Sequence, residues 1–244
     1  MSSYRYLQSI NAIIDQIVRH ESEAIASAAR CCADAIANGG VLHCFGTGHS
    51  ALLAADTFYR AGGLACVNAI LEEPVSVYAG GLISSWGERQ PGLAGLILNR
   101  YDLRAGEPII IFSVSGVNCV PVEVAAESRA RGLTVIAITS RAYCESVASR
   151  EGFNRTAITE ADLVIDNHVP VGDAVLAIHG SELRACPSST IAATLIFNLM
   201  LERISDNLME LGLPVPIFAS ANLSRADEHN KKLIARYRHR IRHF

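Results

Sequence analysis

The strongest constraint on the fold of this chain is a recurrence of short, largely apolar runs, each leading through a turn into a stretch with helical spacing. Val41 to Phe45, Pro108 to Phe112 and Leu133 to Ile138 are such runs, too short for buried helices and bounded by Gly, Ser or Thr. A strand that is apolar on both faces has to be covered on both, which a parallel sheet flanked by helices achieves. Leu64 to Leu71 and Leu163 to Ile165 read as two further strands. Ala51 to Tyr59, Glu88 to Tyr101 and Val120 to Arg131 read as the intervening helices. Alternation of this kind implies right-handed βαβ units and an α/β fold with helices on both faces of the sheet.

Long helices are expected outside this core. From about Tyr4 to Asn38, Leu7, Ile10, Ile14, Ile17, Ile25, Ala29, Cys32 and Ile36 recur mostly at steps of three and four, and Gly39-Gly40 closes the stretch. Ile191, Leu195, Leu199, Ile204, Leu208 and Leu211 mark a second long helix, stopped by Gly212 and Pro214, and Ala226 to Phe244 reads as a basic helix. The 244 residues, 50% of them hydrophobic, are enough for one domain with its own core. We therefore expect a single domain over 1–244, with an N-terminal helix at about 4–38 and a helical extension from about 187 to 244. Aromatic residues make up only 6% of the chain, which suits a helix-covered sheet better than a sandwich of aromatic-rich strands.

A formal net charge of −3 provides no general attraction to nucleic acid or acidic lipid, so neither is an expected partner. The basic residues after Lys231 read as a solvated helical face. Seven cysteines are scattered without CxxC or Cys/His ligand spacing, and the eight histidines form no metal motif; no metal and no cofactor are expected. No secretory leader pattern or membrane-length apolar run is present, so a cytoplasmic location is expected.

Ligands of open parallel sheets bind beyond the carboxyl ends of the strands. Two loops fall there. Gly46-Thr47-Gly48-His49-Ser50 follows the first strand, and Ser113-Val114-Ser115-Gly116-Val117-Asn118 follows the third. A loop opening a helix directs N–H groups and a positive dipole end at its mouth, and so favours an anion such as phosphate. Hydroxyls add donors. The plainer reading of these glycines is a tight turn, and that of Ser113 and Ser115 is helix capping. A dinucleotide reading also competes, because Gly46, Gly48 and Ala51 have G-x-G-x-x-A spacing and Glu72 follows the next strand. The second hydroxyl-bearing loop is not required by a dinucleotide.

FGTGHS, SVSGVN, the ITS ending at Ser140, and CPSSTIAATL resemble the corresponding stretches of sugar isomerase (SIS) domains. The resemblance covers most of the chain. FYRAGG, YDL, VPVE, DNHVPVGDA and DEHN add a likeness to an uncharacterised bacterial SIS branch. This implies a three-layer αβα, flavodoxin-like fold with a five-stranded parallel sheet. It also implies phosphosugar binding in carbohydrate metabolism, often with aldose-ketose isomerisation, and a homodimer or higher homo-oligomer whose site is completed by a second subunit. Thr47, Gly48, Ser50, Ser113, Ser115, Asn118 and, less directly, Ser140 become the substrate-binding positions. The branch usually carries SNSGRN in the second loop, where this chain has Val114 and Val117.

Isomerisation through an enediol needs a base for a carbon-bound proton and acids for ring opening. Glu72, after the second strand, is the expected base, with Glu73 as its rival. His49 in the first loop and His229 in Asp227-Glu228-His229-Asn230 are the expected proton-transfer partners. Asp173 and Glu182 are weaker acids for the purpose. A sugar-phosphate lyase or etherase shares the carbon-acid step, and a phosphosugar sensor would share only the binding.

Overall fold

The computed structural model describes residues 4–151, 154–224 and 226–244. Its centre is the expected parallel sheet. Strands β1 (Leu42–Gly46), β2 (Val67–Ile70), β3 (Pro108–Phe112), β4 (Thr134–Thr139) and β5 (Leu163–Asp166) lie in the order β2-β1-β3-β4-β5, every pair parallel. The chain reverses its direction of travel across the sheet between β1 and β3, the two strands that carry the glycine- and serine-bearing loops. At such a switch point neighbouring loops diverge and leave a crevice.

β1 and β3 are buried along their whole length, as apolar runs covered on both sides should be. One face packs Leu42, Cys44, Ile110, Phe112, Ile136 and Ile138 against helices α1 (Arg5–His20), α2 (Ser22–Ala37), α3 (Ser50–Asp56) and α9 (Ser189–Glu210). The other packs Phe45, Ile70, Ile109, Ile111 and Val135 against α5 (Leu93–Leu98) and α6 (Cys119–Ala130). The three-layer α/β architecture is thus the expected one, with N-terminal helices resting on α9.

Several boundaries differ from the sequence reading. The N-terminal stretch is two helices, broken at Glu21, whose buried carboxylate accepts the Asp166 N–H at 3.0 Å and meets His168 Nε2 at 3.0 Å. The second strand is shorter than Leu64 to Leu71 because Ala65 donates to Pro216 O at 2.7 Å and Leu64 bridges Ile217, which takes both residues out of the sheet. The helix expected over Glu88 to Tyr101 does not run through. Helix α4 (Gly81–Gly87) ends before it, and Pro91 and Gly92 force a turn ahead of α5. Helix α7 (Arg141–Glu151) and the short α8 (Ala157–Glu160) lead to β5. A hairpin of β6 (Ala174–Ala177) and β7 (Arg184–Pro187), absent from the sequence reading, precedes α9. The final helix, α10 (Ala226–Tyr237), stops short of the chain end. Among the described residues no helix is long and apolar enough to cross a membrane.

Candidate functional site

The carboxyl ends of β1 and β3 open into one cleft with two adjoining lobes of about 390 and 500 Å³. Thr47, His49, Ser50, Glu88, Val114 and Asp173 line both lobes. Gly48 faces the first; Ser113, Ser115 and Asn118 face the second. The two loops picked out by their glycines and hydroxyls therefore border the same space. Val114 and Val117 stand in that wall too, so part of it is apolar.

The first loop is held by backbone contacts. Gly48 donates to Val75 O at 2.7 Å, and Ser50 N–H donates to Thr47 O at 2.9 Å. Gly46 has to lack a side chain: a Cβ there would lie 2.3 Å from the Ser50 carbonyl oxygen. The second loop is anchored at its start, where Ser113 donates to Ile138 O at 3.1 Å, and through the Val114 carbonyl, which accepts from Ser140 N at 3.0 Å. No backbone N–H from Val114 to Asn118 donates to another described residue. The hydroxyls of Ser50, Ser113 and Ser115 and the amide of Asn118 likewise make no hydrogen bond among the described residues. Asn118 is the N-cap of α6, so these donors gather where a 12-residue helix begins. Such a concentration of donors without partners favours an anionic guest.

Glu88 is an acidic side chain of the cleft that the sequence does not single out. Its side chain is only 14% exposed, Thr47 Oγ1 donates to its Oε2 at 2.8 Å, and Arg89 Nη1 reaches its Oε1 at 3.1 Å. It extends into the cleft from the C-cap of α4, not from the start of a helix over Glu88 to Tyr101. The 41-residue separation from Thr47 leaves no local signal of this pairing.

The other expected site residues are placed differently. Glu72 does not line the cleft. Its buried carboxylate is bonded to the Arg100 guanidinium and accepts from Tyr101 Oη at 2.9 Å, so neither a sugar carbon nor a ribose hydroxyl has ready access to it. Ser140 is fully buried, donating to Val169 O at 2.6 Å and accepting from Tyr143 N at 3.1 Å at the start of α7. His229, on α10, bonds to Ile217 O at 2.8 Å and is absent from the cleft lining. His49 is exposed at the mouth. Asp173 lines both lobes, but its carboxylate is spent on the start of α9: Ser188 N at 2.9 Å, Ser189 N at 2.8 Å and Ser189 Oγ at 2.7 Å all donate to it.

Comparison with known proteins agrees with this architecture. The pattern described as "SIS domain" matches residues 5–140. A UPF0309 protein of Caldanaerobacter subterraneus subsp. tengcongensis is 42% identical over 241 residues, covering 98% of each chain. Among solved structures, a phosphoheptose isomerase from Francisella tularensis superposes with a TM-score of 0.53 at 17% identity, over 82% of this chain and 95% of that one. The NanR protein of Vibrio vulnificus, solved in complex with ManNAc-6P, does so at 0.52 with 12% identity, over 94% of this chain and 67% of its own. These last two likenesses are of fold. The sheet order, the paired loops at its switch point and the near full-length relatives together place this chain in the SIS-domain family, alongside the UPF0309 proteins.

Proposed function

We propose that the protein binds a phosphorylated sugar in the cleft between the β1 and β3 loops and interconverts its aldose and ketose forms. The observation that carries this reading is the meeting of two unequal surfaces in one space: N–H and hydroxyl donors on the second loop that have no partner among the described residues, and a sheltered carboxylate, Glu88, beside the first. The donors suit a phosphate without requiring a lysine or arginine. Ser50, Ser113, Ser115, Asn118 and the N–H groups from Val114 to Asn118 would hold it. Val114 and Val117 bring no charge to the second loop, and Arg89, which lines the same lobe, is the cationic side chain that adds to these donors.

With the phosphate anchored, the sugar chain runs toward Glu88. A fixed remote group confines the reacting carbon to the neighbourhood of the base, which replaces an encounter in solution with a positioned one. Glu88 takes the proton from the carbon next to the carbonyl and returns it to the former carbonyl carbon, while the hydroxyl proton on the first of these carbons passes to the carbonyl oxygen by way of solvent. The Thr47 hydroxyl steadies the carboxylate, and His49 at the mouth exchanges the ring-oxygen proton during opening. Glu88 replaces Glu72 in this role because Glu72 is engaged by Arg100 and Tyr101 away from the cleft. The phosphoheptose isomerase and the NanR protein solved with ManNAc-6P act on or bind phosphorylated sugars, and so lend support to the substrate class.

The test is deuterium incorporation at the two carbons nearest the carbonyl, measured in heavy water for each phosphosugar that binds. Wild-type protein is expected to catalyse exchange, and Glu88→Gln to bind the same sugar with exchange lost. Binding without exchange in the wild type would leave a phosphosugar sensor. Exchange accompanied by loss of a substituent would identify a lyase or etherase.

A further inference from the structure

Both carboxylate oxygens of Glu88 accept a hydrogen bond, and the two donors differ in how firmly they are placed. Oε2 accepts from Thr47 Oγ1 at 2.8 Å, and Thr47 is buried in the first loop. Oε1 accepts from Arg89 Nη1 at 3.1 Å, and the Arg89 side chain is 55% exposed. The same Nη1 bonds to Ser85, to its carbonyl and, at 2.8 Å, to its Oγ. All these bonds of the guanidinium run through one nitrogen; Nε and Nη2 bond to no described residue. An exposed ion pair of this kind contributes little net free energy, because water competes for both charges.

The backbone beneath the pair is fixed. Glu88 N–H donates to Ser84 O at 3.0 Å, and the Glu88 carbonyl accepts from Val120 N at 3.0 Å, in the first turn of α6. Any change of partner therefore falls to the side chains, and the Glu88-Arg89 junction is tied to the helix start where the second-loop donors gather. Arg89 lines that lobe with Ser113, Ser115 and Asn118, and no other Lys or Arg among the described residues lines either lobe. The guanidinium edge formed by Nε and Nη2 presents two parallel N–H groups, an arrangement that two phosphate oxygens accept together. A phosphate held by the second loop thus competes for Arg89 against a carboxylate that meets it through a single nitrogen.

We propose that Arg89 couples phosphate binding to release of the base, an inference that rests on the phosphosugar reading above with Glu88 as that base. A carboxylate bonded to a cation takes a proton less readily than a free one. A phosphate in the second lobe draws the guanidinium to itself through Nε and Nη2, and Oε1 is freed while Thr47 keeps Oε2 in place. The phosphate then acts on rate as well as on affinity: a sugar that lacks it meets a base still engaged by Arg89. Arg89 is a positioning residue, since it acts on the reacting carbon only through Glu88.

The test is deuterium exchange into a dephosphorylated sugar, supplied at a concentration high enough for weak binding to suffice, with inorganic phosphite added separately as the anion. In the wild type, phosphite is expected to raise the exchange rate about ten-fold, the factor that one hydrogen bond to a charged group supplies. Arg89→Met keeps a long side chain without the guanidinium. Its exchange without phosphite should rise several-fold above that of the wild type, phosphite should no longer accelerate it, and the phosphosugar should show a higher KM. Arg89→Lys should recover part of the phosphite response. A residue that only binds phosphate, or only supports the fold, would leave the exchange without phosphite in Arg89→Met equal to the wild type or below it. Either result overturns the proposal, as does a wild type indifferent to phosphite. Glu88→Gln separates the coupling from the reading beneath it. Exchange lost in Glu88→Gln alongside any of these results sinks the coupling alone; exchange that persists in Glu88→Gln, or is absent from the wild type with every phosphosugar, removes the base and the coupling together.

Discussion

Glu88 and Glu72 have the same side chain, and their surroundings separate their uses. Glu72 is locked between a guanidinium and a phenol; Glu88 has one hydroxyl and one arginine contact and still faces the cleft. Thr47→Val keeps the shape of the side chain but removes the donor to Glu88, and should cost about 1 kcal/mol of stability. In exchange assays it should lower the rate while leaving phosphosugar affinity within about two-fold, the split expected of a group that positions the base. Equal losses in affinity and rate would show that Thr47 touches the sugar instead. Glu72→Gln, by contrast, should chiefly lower stability and leave exchange in the remaining folded protein near the wild-type rate. At this scale the hydroxyl loops were legible because each follows a strand directly. The choice among acids was not, since it depends on Arg100, Tyr101 and Thr47, which are remote in sequence from at least one of their carboxylate partners.

Among the elements, those buried on both faces were the readable ones. β1, β3 and β4 announce themselves through composition alone, whereas β6 and β7 are four-residue strands with half-exposed side chains and no regular alternation. The break between α1 and α2 is hidden because Ile14, Ile17 and Ile25 keep nearly helical spacing across it; only the tertiary bonds of Glu21 to Asp166 and His168 fix the bend. The hairpin has a clear structural use. It begins beside Asp173, which satisfies N–H groups at the start of α9, the longest described helix. Asp173→Ala should therefore cost about 1–2 kcal/mol through loss of this cap. Hydrogen exchange would show the effect: faster exchange confined to the first turn of α9 and the hairpin is expected, and protection unchanged there would contradict the assignment.

For the molecule as a whole, the end of the chain is tied to the opposite edge of the sheet by a buried charge network. Glu107 accepts from Arg240 Nη2 at 2.7 and 2.9 Å and from Val41 N at 3.1 Å, and His43 Nε2 lies 2.9 Å from its carboxylate. Asn68 Nδ2 donates to His43 Nδ1 at 3.1 Å, which leaves the neutral ring's proton on Nε2, facing Glu107. Burial works against the Glu107 charge, but the bonds from His43 and Arg240 outweigh it and hold the carboxyl down at about 2. Because the folded value lies below the ordinary one of about 4.3, the stabilisation is complete above that pH and is lost as pH falls toward 2. Glu107→Gln should thus flatten the acid side of the stability curve between about pH 4.5 and 2, and Glu107→Leu should cost about 3 kcal/mol by removing the buried partner of the Arg240 Nη2 group, whose Nε keeps only the half-exposed Asp102 carboxylate at 2.7 Å. Denaturation midpoints measured across that range check both; an unchanged acid slope in Glu107→Gln would remove Glu107 as its source. The central claim concerns the other edge of the sheet. Its most direct test is calorimetric titration with a panel of sugar phosphates and their dephosphorylated forms, using wild type and Ser115→Ala. At least one phosphosugar should bind, its affinity should fall about ten-fold or more in Ser115→Ala through loss of about 1.5 kcal/mol, and removal of the phosphate should abolish detectable binding. Affinity that is indifferent both to the phosphate and to Ser115 would contradict the account.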